Sequence, residues 1–92
     1  MITSFRHKGL KLLFETGERR KLPADRVDKI ERILARLDEA TDARHMDLPG
    51  YRLHPLKGDL AGFWSVGVSG NWRIIFRMEN GNARDIDLVD YH

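Results

Sequence analysis

Much of what this sequence lacks narrows what it can be. It contains no cysteine. Disulfide frameworks, thiolate metal sites and cysteine nucleophiles are therefore excluded. No segment approaches the ~18 consecutive apolar residues that span a bilayer as a helix. The opening M-I-T-S-F-R-H-K has no apolar run behind its basic residues, so it does not read as a signal peptide. The expectation is a cytoplasmic protein with no membrane association. Neither G-x-G-x-x-G nor G-x-x-x-x-G-K occurs, which leaves nucleotide binding by a glycine-rich loop without support. His7, His45, His54 and His92 are not spaced as a ligand pair, so neither a metal nor a cofactor is expected. Serines are few, and none stands in G-x-S-x-G. Internal repeats and low-complexity stretches are also absent.

What is present fits one domain over residues 1–92, long enough for a single core. Charged residues make up 33% of the chain, yet the formal net charge is only +2. The charges are unevenly placed. Residues 1–36 hold ten Lys/Arg against five Asp/Glu, and residues 37–92 hold six against nine. Such asymmetry suits either a solvated helical surface or a field that attracts a polyanion such as RNA.

Taken in order, Met1 to Phe5 reads as a short strand. Leu10, Leu13 and Phe14, followed by Gly17, predict a short helix with a glycine stop. A second helix is predicted to start near Pro23. Its stripe of Val27, Ile30, Ile33, Leu34, Leu37 and Ala40 has charged residues on the opposite side. Thr41 to Gly50 reads as a polar linker. From Tyr51 the period becomes two, until Pro55 interrupts ladder pairing. Phe63 to Phe76 is the stretch around which the rest is organised. It reads as two strands joined at Ser69-Gly70-Asn71. Trp64, Val66, Val68, Trp72, Ile74 and Phe76 share one face by alternation. Phe63, Ser65, Gly67, Arg73, Ile75 and Arg77 share the other, which looks small and basic, with room for an anion. Asn80-Gly81 marks a tight hairpin before a final strand from Arg84 to Val89. The predicted order is β-α-α-β-β-β-β, an α+β fold with two N-terminal helices on an antiparallel sheet.

The residues with chemistry gather around that second face. His54 and Arg73 are out of phase with their apolar neighbours, and Lys57 follows in the next turn. Asp90, Tyr91 and His92 close the chain. Each has an ordinary reading: His54 as a surface histidine, Arg73 paired with Asp85 or Asp87, Lys57 in a plain turn, the last three as a loose tail. Arg77 reads as solvated or as steering phosphate. Together, these types suit RNA cleavage without a metal. Imidazole and carboxylate can move protons to and from the ribose 2′-OH and the leaving oxygen. Guanidinium and ammonium can hold a phosphorane, and a phenol can stack on an unpaired base.

The segments M-I-x-S-F-x-H-K-G-L-K-L-L-F-E, L-H-P-L-K-G-D, N-W-R-I-x-F and the terminal D-Y-H resemble the HigB toxins of bacterial toxin–antitoxin pairs, within the RelE/ParE superfamily. The resemblance runs essentially end to end. It implies a curved RelE-like sheet and an mRNA endoribonuclease that acts at the ribosome, leaving a 2′,3′-cyclic phosphate. It implies functional positions at His54, Lys57, Arg73, Asp90, Tyr91 and His92. Its implied partner is a HigA-like helix-turn-helix antitoxin, with operator DNA bound only by the pair. Two other readings are a ParE-like member that poisons DNA gyrase without cutting, and an interaction module without toxicity.

Overall fold

The computed structural model describes residues 1–90. Two α-helices come first, and four strands follow as an antiparallel sheet whose spatial order is the chain order. Helix α1 spans Lys8–Thr16 and buries Leu10 and Leu13. Gly17 ends it in the left-handed region at φ 79°, its N–H donating to the Leu13 carbonyl at 2.9 Å. His7 caps the other end, with Nδ1 accepting from the Leu10 N–H at 3.2 Å. Helix α2 spans Val27–Glu39, starting later than Pro23 suggests. Pro23 instead opens a turn, in which its carbonyl accepts from the Arg26 N–H at 3.0 Å. The predicted stripe of α2 is buried from Val27 to Ala40.

The segment read as a linker contains a 3₁₀ turn at Ala43–Met46. Asp42 caps it through a 2.8 Å bond from the Arg44 N–H, and Met46 is fully buried. Strand β1 is only His54–Pro55. Arg52 lies in the left-handed region at φ 54° and breaks the extended run that alternation predicts from Tyr51. Pro55 pairs with Trp64 all the same, as proline can on an edge strand. Strands β2 (Trp64–Gly67), β3 (Trp72–Glu79) and β4 (Asn82–Asp90) form the body of the sheet. Asn80 and Gly81 have φ of 54° and 79°, the pair of positive angles that a type I′ hairpin requires.

Between β3 and β4 there is a bulge. Ile75 faces Asp87 and Arg77 faces Arg84, so Phe76 is opposed by both Asp85 and Ile86. The bulge shifts the alternation of β4, so that Ala83 and Ile86 both enter the core. It also explains why the expected first strand is not continuous. Ile2 and Phe5 make isolated parallel bridges to Ala83 and Ile86. Between them the Asp85 N–H turns to the Ser4 hydroxyl at 2.9 Å instead of a ladder carbonyl.

Val66, Val68, Ile74, Phe76, Ala83, Ile86 and Leu88 on the inner face join Leu10, Leu13 and the α2 stripe in one apolar cluster. Trp64 and Trp72 pack partly buried at its rim. Each fully buried aliphatic side chain contributes about 1.5–3 kcal/mol, so this face is the main source of stability. Among the described residues, no helix is long and apolar enough to cross a membrane.

Candidate active site

The outer face of the sheet is not empty, as its small residues suggest. The guanidinium of Arg73 fills it. Arg73 stands opposite Gly67 on β2 and Val89 on β4, and is only 6% exposed. Its Nε–H donates to the buried Ser65 hydroxyl at 2.5 Å. One terminal nitrogen lies 3.2 Å from the Arg52 carbonyl and 3.2 Å from His54 Nδ1. Gly67 lies beside the guanidinium: a methyl group there would sit 3.9 Å from the other terminal nitrogen and 3.6 Å from the Tyr51 carbonyl, both ordinary contact distances. The left-handed backbone at Arg52 belongs to the same arrangement, since that residue's carbonyl accepts from the site.

His54 sits on β1 directly across from Ser65. Its Nδ1 is 2.9 Å from the Arg52 carbonyl and 3.2 Å from Arg73. An arginine can only donate, and a carbonyl can only accept. Nδ1 therefore either accepts from Arg73 or donates to Arg52. In the first state Nε2 carries the proton, and in the second it offers a lone pair. Nδ1 thus has a partner in either tautomer, leaving Nε2 as a donor in one and an acceptor in the other.

The sequence-derived candidates divide on this frame. His54 and Arg73 are brought together by direct contact. Lys57 is exposed and stands at the N-terminal end of the 3₁₀ turn Gly58–Leu60, just past the edge strand, without a side-chain capping bond. Asp90 ends β4 opposite Trp72, on the inner-face parity, and accepts from the Asn71 side chain at 3.2 Å. Tyr91 and His92 lie outside the described residues. The expected pairing of Arg73 with Asp85 or Asp87 is replaced by its contacts with Ser65, Arg52 and His54. Asp85 is approached by Arg77 at 3.7 Å and Arg84 at 3.3 Å instead.

Ser65 and the Arg52 carbonyl were not singled out from the sequence as functional groups. Alternation held a signal for Ser65: a lone hydroxyl on the same face as Arg73, between Phe63 and Gly67. No such signal exists for Arg52, because a positive φ at arginine is set by tertiary context. Among the described residues, no three His, Asp or Glu side chains lie close enough to hold a metal ion.

The chain was compared with known proteins. A family model described as the RelE-like toxin of type II toxin–antitoxin system HigB matches residues 3–92. An endoribonuclease HigB of Proteus vulgaris is 50% identical over 92 residues, covering all of both chains. A HigB toxin of Vibrio cholerae is 32% identical over 85 residues, 90% of each chain. Among solved structures, a chain of the YoeB–YefM complex from Staphylococcus aureus superposes with a TM-score of 0.63 at 17% identity. That match covers 100% of this chain and 98% of the other. YafQ from E. coli gives 0.57 at 17% identity, covering 98% and 93%. At such identities these structures speak to the fold alone.

Proposed function

We propose, from the premise that this chain belongs to the HigB family of RelE-like toxins of type II toxin–antitoxin systems, that its outer face is an RNA-cleaving site. The protein is an endoribonuclease toxin that inhibits translation by cutting mRNA. The observation that carries the site assignment is the Arg73 guanidinium, buried to 6% exposure and held by Ser65, Arg52 and His54. A cation fixed in this way needs no reorganisation when negative charge develops next to it.

In this mechanism the ribose 2′-OH attacks the adjacent phosphorus, and no metal is needed because RNA carries its own nucleophile. Arg73 and Lys57 stabilise the phosphorane. Asp90 or His92 takes the 2′-OH proton. His54 supplies or positions a proton for the leaving 5′-oxygen, and Tyr91 stacks on a base. The products are a 2′,3′-cyclic phosphate and a 5′-hydroxyl end. So small a set of acid–base groups leaves in-line orientation to be provided by the ribosome, where mRNA is held for decoding. The protein then works in the cytoplasm. Its partner is a HigA-like helix-turn-helix antitoxin, and operator DNA is bound by the pair.

Mapping of mRNA 5′ ends after brief induction tests this reading. The wild type is expected to produce cuts clustered within translated codons, and Arg73→Ala to produce none while remaining folded. Growth arrest by the wild type without such cuts would point to a non-nucleolytic poison and overturn the proposal.

A further inference from the structure

The outer face carries a second cationic feature that the cleavage chemistry does not use. Phe63 precedes β2 and Arg77 follows Phe76 on β3, so both flank the Trp64–Phe76 pair. The Phe63 ring is buried, and the guanidinium carbons of Arg6 and Arg77 each lie 5.6 Å from its centroid. Both arginines are exposed. Arg6 arrives from the N-terminal segment, where its backbone N–H bonds to the Ile86 carbonyl at 2.8 Å. Arg77 stands 3.7 Å from Asp85, but that carboxylate is closer to Arg84, at 3.3 Å. Among the described residues no carboxylate pairs with Arg6. Arg84 has a nearer partner in Glu79 at 3.0 Å, so the two cations on the ring have one carboxylate, Asp85, between them. Each is attracted to the ring face, while the two repel each other. An anion bound at this exposed pair offsets the excess positive charge.

The position of this pair indicates which anion. Arg73 and Arg77 lie on the same face of β3, four residues apart along one continuous strand. At about 3.3 Å per residue their backbones are ~13 Å apart. That distance corresponds to a few nucleotides along a single strand. We infer that Arg6 and Arg77, splinted by Phe63, form a second phosphate subsite for the same RNA strand whose scissile phosphate Arg73 holds. The inference rests on the proposed cleavage site. The planar guanidinium matches phosphate geometry, and contact with the shared ring restrains both side chains. The subsite touches no reacting atom. It binds and registers the strand.

Single-turnover cleavage of ribosome-bound mRNA tests this, with a neutral methylphosphonate placed in turn at each position flanking the cut. The enzymes compared are the wild type, the double variant Arg6→Gln/Arg77→Gln, and Arg73→Ala. At one flanking position the wild type is expected to slow about tenfold, the scale of one lost charge-assisted contact. The double variant should be slower by a similar factor on normal mRNA and indifferent to the substitution at that position. Wild type indifferent to every flanking substitution would overturn the subsite. So would a double variant that keeps wild-type sensitivity, even if it cuts slowly, because its arginines would then serve packing or ribosomal RNA. If the double variant does not fold, the same comparison is made with Arg6→Gln and Arg77→Gln singly. Arg73→Ala cutting at the wild-type rate would instead overturn the reading of the site itself, and the subsite with it.

Discussion

The two faces of the sheet are built from alternate residues of the same strands, yet they obey different rules. The inner face is a continuous apolar surface: Val66, Ile74, Phe76 and Ile86 are wholly buried under the helices. The outer face is also buried around Arg73, but by polar means. There a guanidinium is held by a hydroxyl, a carbonyl and an imidazole. Burying a charge costs free energy unless strong hydrogen bonds replace its hydration. The inner face supplies the surplus that lets the outer one keep such a group in place. Stability and chemistry are thus separated by a shift of one residue along a strand.

The most severe way to break this separation is through the inner face. Leu37 lies fully buried on the α2 stripe. Leu37→Ala is expected to lower unfolding free energy by about 2–5 kcal/mol, as measured by denaturant titration. Cleavage per folded molecule should stay near the wild-type value. A proportionate loss of cleavage by the folded fraction would mean that the two faces do not act separately.

That division was half legible in the sequence, and the legible half was local. The α2 stripe, the Gly17 stop and the Asn80-Gly81 turn each follow from period or backbone preference, and the structure has all three. The assignment of Arg73 and His54 to one face followed from alternation alone. What could not be read depended on contacts distant in sequence. Arg52 takes φ 54°, and with it the run from Tyr51 loses its period. The bulge opposite Phe76 exchanges the faces of β4, so Ala83 and Ile86 point the same way three residues apart. The N-terminal segment pairs with residues 80 and 81 positions away. The burial of Arg73 was hidden too, because composition places arginine on surfaces. It takes the Ser65 hydroxyl, the Arg52 carbonyl and His54 together to hold it there.

A gentler test acts on the outer face. Ser65→Ala removes the acceptor of the Arg73 Nε–H while barely changing volume. The expected cost is about 1–3 kcal/mol of stability, the range for depriving a buried polar group of a partner. Cleavage should fall as well, because the guanidinium loses one of the contacts that aim it. Stability lost with cleavage intact would assign Ser65 to the scaffold, and the outer face would then resemble the inner one more closely than its chemistry suggests.

The smallest effect separates the faces by pH. Asp42 caps the 3₁₀ turn that carries Met46 into the core, and so serves the inner side. A hydrogen bond from the Arg44 side chain, with help from the Arg44 backbone N–H, lowers its pKa from 3.8 to about 2. The folded value is depressed. Its contribution to stability is therefore present above the ordinary carboxylate pKa of about 4 and fades as pH falls toward 2. Asp42→Asn keeps an oxygen for the cap but loses the charge. Melting temperatures of the wild type and Asp42→Asn should differ slightly at neutral pH and converge on acidification. The group is partly exposed, so the difference should also shrink in high salt. A gap that widens toward low pH would reverse the sign and remove Asp42 from the scaffold's acid response. Cleavage at neutral pH should be the same for both proteins, since among the described residues none on the outer face bonds to this cap.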